Sequence, residues 1–262
     1  MDKPILFSAP MVRAILDGRK TVTRRGLSKS NTFFNGMTWP KYVRIGDCNW
    51  QSAWVDAGPS PAGNTGPYLH VEWPYGKLCD GGTDEKLWAR VYPRTRPGDI
   101  IWVRERFLPD APETGAGWDD EGLSFVEWDG CGRRLDGVPK IYRKPEYCIF
   151  AADPKWSSAT DWKWRPSIHM PRWASRLTLR VTAVKVERLQ DISEEDAIAE
   201  GIIAMRSRAG SVPITVYGYD ANAQNHSPSA RDAFSFLWTS INGPGSWDVN
   251  PWVASYSFER VT

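Results

Sequence analysis

"LTLRVTAVKVERL", Leu177 to Leu189, is the longest β-forming run in the chain, and how it is read decides the fold. Leu177, Leu179 and Val181 alternate on one parity, and Val184 and Val186 continue on the other. Strand side chains alternate faces with period two, so one inward face requires an extra residue near Thr182-Ala183. A bulge at that point is how a small barrel bends a long strand. On the C-terminal side, Ile192 to Gly201 reads as a compact helix. Ser193 caps it, Glu194, Glu195 and Asp196 fill its first turn, and Gly201 ends it. A polar stretch at about 206–228 follows. Ser229 with Asp232 then opens a helix that places Phe234, Leu237, Trp238 and Ile241 on one face. Trp252, Ala254, Tyr256 and Phe258 alternate with Val253, Ser255, Ser257 and Glu259, the pattern of a half-buried terminal strand.

On the N-terminal side, Arg96-Pro97-Gly98-Asp99 is a turn before a strand over Ile100 to Phe107, and Tyr147 to Phe150 reads as another strand. Ser8-Ala9-Pro10 followed by Met11, Val12, Ala14, Ile15 and Leu16 predicts a short helix, with Gly18 supplying its left-handed terminus. Thr21-Val22-Thr23 is β-prone. Residues 26–95 and 109–165 are rich in Gly, Pro, Asn and Trp, with Gly115-Ala116-Gly117 and Asp129-Gly130-Cys131-Gly132 in the second stretch. They read as long loops with a few short strands. The expected fold is therefore α+β, a small β-barrel with short flanking helices. It forms one domain over 1–262, with insertions at about 26–95, 109–165 and 206–228.

Charge narrows the partners. The chain has 262 residues, with 33 Lys plus Arg against 31 Asp plus Glu, a formal net charge of +2. Coating a long polyanion requires a basic excess, because affinity comes from neutralised phosphates. Near-neutrality favours a small ligand or a short nucleic-acid segment. No apolar run approaches the roughly 18 residues of a membrane span, and Met1-Asp2-Lys3-Pro4 lacks the start of a signal peptide. Cys48, Cys79, Cys131 and Cys148 form no C-x-x-C pair, and His70, His169 and His226 are scattered, so no zinc site and no cofactor is expected. A reduced, cytoplasmic protein without a membrane partner is the simplest expectation. The 15 tryptophans read as core and strand surface, or as walls of a pocket where a flat base stacks.

A few residues carry chemistry. Glu200 falls in the last turn of its helix, where the backbone dipole disfavours a carboxylate. Shielded from water, it would hold and release a proton; exposed, it is an ordinary surface acid. In "GRKTVTRR", Gly18 to Arg25, Lys20 could serve as base for the Thr23 hydroxyl if Arg19, Arg24 and Arg25 lower its pKa. The alternative is a cationic strand edge. Residues three apart in a strand face opposite ways, so the two converge only if Lys20 precedes the strand. Glu105, between Arg104 and Arg106, reads as an ion-pair member or an active-site carboxylate, and His169 as structural or substrate-adjacent.

The motif Gly18-Arg19-Lys20-Thr21-Val22-Thr23-Arg24-Arg25 resembles the ASCH-domain signature G-x-K-x-x-E-x-R, with Thr23 where the general pattern has Glu. ASCH domains are relatives of the PUA RNA-binding fold, a small barrel with flanking helices. The bacterial N4-acetylcytidine amidohydrolases of this family carry G-R-K-T-[IV]-T-x-R, with threonine at that place. Their catalytic set is the motif lysine, this threonine and a glutamate in a later helix, which implies Lys20, Thr23 and Glu200 here. "PGDIIWVRERF", "MPRWASRLTLRVTAVKVERLQDISEEDAIAEGI" and "WDVNPWVASYSF" are similar to longer ASCH-type proteins of phages and prophages. The bacterial enzymes are shorter and have no counterpart to 26–95 or 109–165.

The resemblance implies an amidohydrolase that cleaves N4-acylated cytosine nucleosides to cytidine and a carboxylic acid. Thr23 would attack the carbonyl or position water, Lys20 would take the proton, and Glu200 would protonate the leaving amine. Arg24, Arg25 and Glu105 would bind or orient substrate, and Trp102 or Trp173 would stack on the base. The partner is then a small nucleoside. The alternatives are a non-catalytic module for single-stranded RNA or modified bases, and a ribonuclease.

Overall fold

The computed structural model describes residues 2–27, 32–33, 49–58, 66–72, 88–109, 135, 138, 140–156, 162–209, 212–219 and 226–261. The N-terminal elements are β1 (Lys3–Leu6), α1 (Ala9–Leu16), β2 (Val22–Gly26), β3 (Thr32–Phe33), β4 (Asn49–Asp56), β5 (Tyr68–Glu72) and β6 (Trp88–Val91). β7 (Ile100–Arg104), β8 (Phe107–Pro109), β9 (Cys148–Phe150) and β10 (Thr178–Arg188) follow. The C-terminal part holds α2 (Glu194–Ala199), β11 (Ile203–Ala209), β12 (Val212–Gly218), α3 (Ala230–Asn242) and β13 (Trp252–Val261). The fold is mixed α+β, mostly strands. The sheets are open where a closed barrel is expected: closure needs each edge strand to find a second neighbour, and every sheet among the described residues keeps two edges. Among the described residues no helix is long and apolar enough to cross a membrane.

Contacts gather the chain into two compact units, each assembled from separate pieces. The first comprises Met1–Arg19, Ile100–Arg180 and Arg260–Thr262. In it β1 runs parallel to β7, with Ile5 opposite Val103, and the first residues of β10 pair antiparallel with β7, Thr178 opposite Trp102. α1 buries Met11, Val12, Ala14 and Ile15 and ends as expected at Gly18, whose φ of +73° suits a residue without a Cβ. β8 pairs with β9, and Phe107, Cys148, Phe150, Met170 and Ala174 form its core with Trp173 packed against them.

The second unit comprises Lys20–Asp99 and Val181–Glu259. β2 pairs antiparallel with β13, Thr23 opposite Tyr256. β3, β6, β5 and β4 make a four-stranded antiparallel sheet, and β11 and β12 a two-stranded one. The first sheet lies in a stretch expected as long loops with a few short strands, and the second falls largely within about 206–228, expected as a polar loop. In β5, Tyr68, Leu69, His70 and Val71 are all buried, so the alternation that marks a half-exposed strand is missing. β12 places Val212, Ile214 and Val216 on one parity, a strand signal set inside a stretch whose Ser, Arg, Asn and Gly residues read as a polar loop. Gly115–Gly117, Asp129–Gly132, Cys48, Cys79 and Cys131 lie outside the described residues.

Inward parity does change along β10. Leu179 and Val181 are buried, Thr182 and Ala183 are both exposed, and Val186 is buried again. β13 departs from its half-buried pattern: Val253 to Tyr256 are buried on both faces, so the small Ala254 and Ser255 share the interior with Val253 and Tyr256. α3 buries Phe234, Leu237 and Trp238, while Ile241, near its end, is exposed.

Candidate functional site

The site lies in the second unit and begins with backbone stitching. Thr21 donates its N–H to the carbonyl of Ala199, the last residue of α2, at 2.9 Å, and its own carbonyl accepts from Phe258 of β13 at 2.9 Å. Lys20 is thereby held before β2 begins, beside the C-terminus of α2. That is the condition the parity of Lys20 and Thr23 required. α2 ends where its sequence says it should. The Ser193 side chain accepts from the Asp196 N–H at 3.1 Å, and Gly201 at φ +100° turns the chain just after Glu200, the C-cap residue.

Lys20 Nζ donates to the Glu200 backbone carbonyl at 2.7 Å and to Glu200 Oε2 at 2.6 Å, with side chains 0% and 3% exposed. An ammonium on the terminal carbonyl of a helix suits the negative end of the dipole. Glu200 is therefore a buried, paired acid and not a solvated surface one. Burial lowers the Lys20 pKa; Glu200 opposes the shift through charge and hydrogen bonding, while Arg25 and Arg24 add to it. Burial likewise lowers that of Arg25, against the pull of Glu200 and Tyr256.

Arg24 is not a free cation on a strand edge. Its Nε and Nη2 reach Glu187 Oε1 at 3.0 and 2.8 Å, Nη2 also meets Asp196 Oδ2 at 2.5 Å, and Nη1 reaches Glu200 Oε1 at 3.4 Å. Two buried cations thus face two buried carboxylates, with Asp196 at the more exposed margin. Thr23 is buried on β2 opposite Tyr256, whose Oη accepts from the Arg94 N–H at 3.1 Å.

No family model, curated protein or solved structure matches this chain. What the site can do rests on its own geometry.

Of the expected site residues, the structure brings Lys20, Arg24 and Glu200 into direct contact and sets Arg25 within electrostatic reach of Lys20 and Glu200. Glu105, Trp102 and Trp173 belong to the first unit and have partners there. Glu105 falls at a break between β7 and β8. It receives Arg176 on both oxygens at 2.9 and 3.1 Å, and Arg176 also holds Asp153 at 2.6 Å. The expected ion pair exists, with Arg176 in place of the neighbouring arginines. Trp102 is buried, with Arg104 4.7 Å from its ring centre and Arg172 at 5.8 Å. His169 is exposed. A shallow cleft lined by Gly66, Tyr92, Thr95, Arg96 and Val184 lies in the second unit, and Lys20, Thr23 and Glu200 are not among its walls.

Glu187 and Asp196 were not foreseen. Asp196 carried a readable signal: it lies four residues before Glu200, so both project from one helix face. Glu187 carried none. The alternation of Val184 and Val186 points it to the opposite face, and it is buried because both faces of β10 are covered near its end, where Val186 and Glu187 are buried together.

Proposed function

We propose that the protein is an ASCH-type amidohydrolase, with a PUA-like barrel as its ancestral framework, that cleaves the exocyclic amide of N4-acylated cytosine nucleosides. One observation carries the reading: the buried Lys20 ammonium lies 2.6 Å from the buried Glu200 carboxylate, both at positions where the motif resemblance requires them. A buried lysine with a lowered pKa is suited to accept a proton, and a hydrogen-bonded carboxylate is suited to pass it on.

In this mechanism Lys20 first passes its proton to Glu200 and then, as the amine, takes the proton of the Thr23 hydroxyl, or of a water Thr23 positions, as oxygen attacks the acyl carbon. The ammonium so formed steadies the developing oxyanion. As the C–N bond breaks, the proton travels from Lys20 through Glu200 to N4, releasing cytidine. If Thr23 carried out the attack, a water then cleaves the threonyl ester to the carboxylic acid and restores the hydroxyl. Water is consumed once per turnover, and no redox partner is needed.

The test is absorbance-monitored hydrolysis of N4-acetylcytidine and larger N4-acylcytidines by the wild type, Lys20→Ala, Thr23→Ala and Glu200→Ala. The reading expects turnover by the wild type and a loss of about 100-fold or more in each variant. An inert wild type, or full activity in Lys20→Ala, would overturn it. Salt-sensitive binding of single-stranded RNA without turnover would replace it with a binding module. Arg24, buried among carboxylates, gives that outcome no phosphate contact.

A further inference from the structure

We propose that Arg24, anchored by Glu187 and Asp196, is a positioning residue that fixes the Glu200 carboxylate so that one oxygen faces Lys20. The two oxygens of Glu200 have different partners: Oε2 meets Lys20 at 2.6 Å and Oε1 meets Arg24 at 3.4 Å. Arg24 can fill this role because its other donors are spoken for. Nε and Nη2 close on Glu187 and Nη2 closes on Asp196, all at 3.0 Å or less. Those shorter contacts set the guanidinium plane, and the longest one faces Glu200. A planar fork with fixed donors holds three acceptors from two elements at once, which a lysine ammonium on a flexible stem does not.

Topology assembles the clamp. Asp196 and Glu200 lie four apart on α2 and would repel one another without a shared cation. Glu187 comes from the end of β10, and its other oxygen lies 2.5 Å from Lys185 Nζ. Arg24 comes from β2 between them. The charged groups acting on Lys20 are Glu200, Arg25 and Arg24, with Tyr256 beside Arg25, so a change at Arg24 or its anchors reaches Lys20 through charge as well as through the orientation of Glu200.

The catalytic consequence rests on the amidohydrolase reading, but the clamp is measured without substrate. The experiment is NMR titration of 13C-labelled lysine, following Lys20 Cε in the wild type, Arg24→Gln, Arg24→Lys and Glu187→Gln. Removing the guanidinium charge should raise the Lys20 midpoint by about one pH unit or more. Arg24→Lys keeps the charge but not the planar fork, so Glu200 is no longer held toward Lys20 and the midpoint should fall below that of the wild type. An unchanged midpoint in a folded Arg24→Lys would overturn the proposal. Glu187→Gln, which removes a negative charge from the far side of the clamp, should lower the midpoint. Opposite signs are the signature: a purely structural network that loosens and admits water relieves the burial of Lys20 and raises the midpoint in both Gln variants. Same-sign shifts, or no shift in a folded Arg24→Gln or Glu187→Gln, would overturn the proposal. If Arg24→Gln does not fold, the sign in Glu187→Gln decides. The same variants are then assayed on N4-acetylcytidine. Opposite shifts beside an inert wild type leave the clamp standing and remove the amidohydrolase reading. An active wild type whose Lys20 midpoint ignores both substitutions removes the clamp and leaves that reading.

Discussion

Replacing Lys20 by Met tests whether the pair with Glu200 supports the fold. The substitution keeps most of the side-chain volume and removes the ammonium. Glu200 is then left buried with Arg24 at 3.4 Å as its remaining cation, and its backbone carbonyl loses the 2.7 Å donor. Removing one partner of a buried ion pair costs about 3–5 kcal/mol, and the lost carbonyl bond costs about 1 kcal/mol more. Arg24 still offsets part of the exposed charge, so the expected loss is about 3 kcal/mol. In Lys20→Met/Glu200→Leu both members of the pair are gone and Arg24 keeps Glu187 and Asp196, while Arg25 loses the pull of Glu200. The double variant should recover about half the loss, roughly 1.5 kcal/mol. Urea unfolding at pH 7, followed by tryptophan fluorescence and far-UV circular dichroism with the m-value compared across variants, reads these differences. A Lys20→Met variant within about 0.5 kcal/mol of the wild type, or a double variant less stable than the single one, would refute the reasoning. The pH dependence has a definite sign. Burial lowers the Lys20 pKa from its ordinary 10.5, so between that lowered midpoint and 10.5 the unfolded chain holds a proton that the folded chain has released. Stability due to Lys20 therefore rises with pH through that window, and the gap to Lys20→Met widens in favour of the wild type.

Two further groups make pH predictions. His70, buried and stacked on Trp54 at 3.9 Å, has its pKa lowered below 6.5 by burial, with Asp56 opposing. As pH falls through 6.5 the unfolded chain takes the proton first and stability declines, so melting curves of His70→Gln should be flatter than those of the wild type between pH 7.5 and 5. An NMR midpoint for His70 above 6.5 contradicts this. Burial raises the pKa of Glu105, against Arg176, so above 4.5 the folded chain keeps a proton that the unfolded chain has lost. Its contribution falls as pH rises to that raised midpoint. Glu105→Gln should remove this slope from urea midpoints measured at pH 4, 5.5 and 7, and an unchanged slope counts against the assignment.

Sequence periodicity reached the helices and the long strands because their signals are local. Ser193, the acidic first turn and Gly201 specify α2 within nine residues, and Gly18 specifies the end of α1. The four-stranded sheet is only partly legible: its inner strand β5 buries Tyr68 to Val71 without alternation, and a short apolar run of that kind resembles a loop that packs. The site followed the same division. Lys20 and Glu200, 180 positions apart, were joined on the motif resemblance, and spacing alone left each with a surface role open. Spacing alone gives Arg24 no partner, because a strand edge and a buried clamp share one local sequence. The difference lies in Glu187, which is buried on the face opposite Val186 because tertiary neighbours cover both faces at the end of β10, and those leave no local mark.

The clamp also explains why a chain of almost balanced charge can bury so many charges in one place. Lys20 and Arg24 are buried, and so are Glu187 and Glu200, which makes two charges of each sign; Asp196 and Arg25, both less buried, add one more of each. Burying unpaired ions costs several kcal/mol each, so the balance is a condition of folding. That condition bears on Thr23. The general motif places Glu at this position, on a strand flanked by Arg24 and Arg25 and opposite Tyr256. Glu187 also meets Lys185 at 2.5 Å, so Lys20, Arg24, Arg25 and Lys185 stand against Glu187, Asp196 and Glu200, with Lys185 and Asp196 at the exposed margin. A buried hydroxyl at 23 adds no charge and needs no counter-ion of its own. Thr23 is thus a position at which burial favours a neutral oxygen over an acid, because a carboxylate there would need a partner of its own.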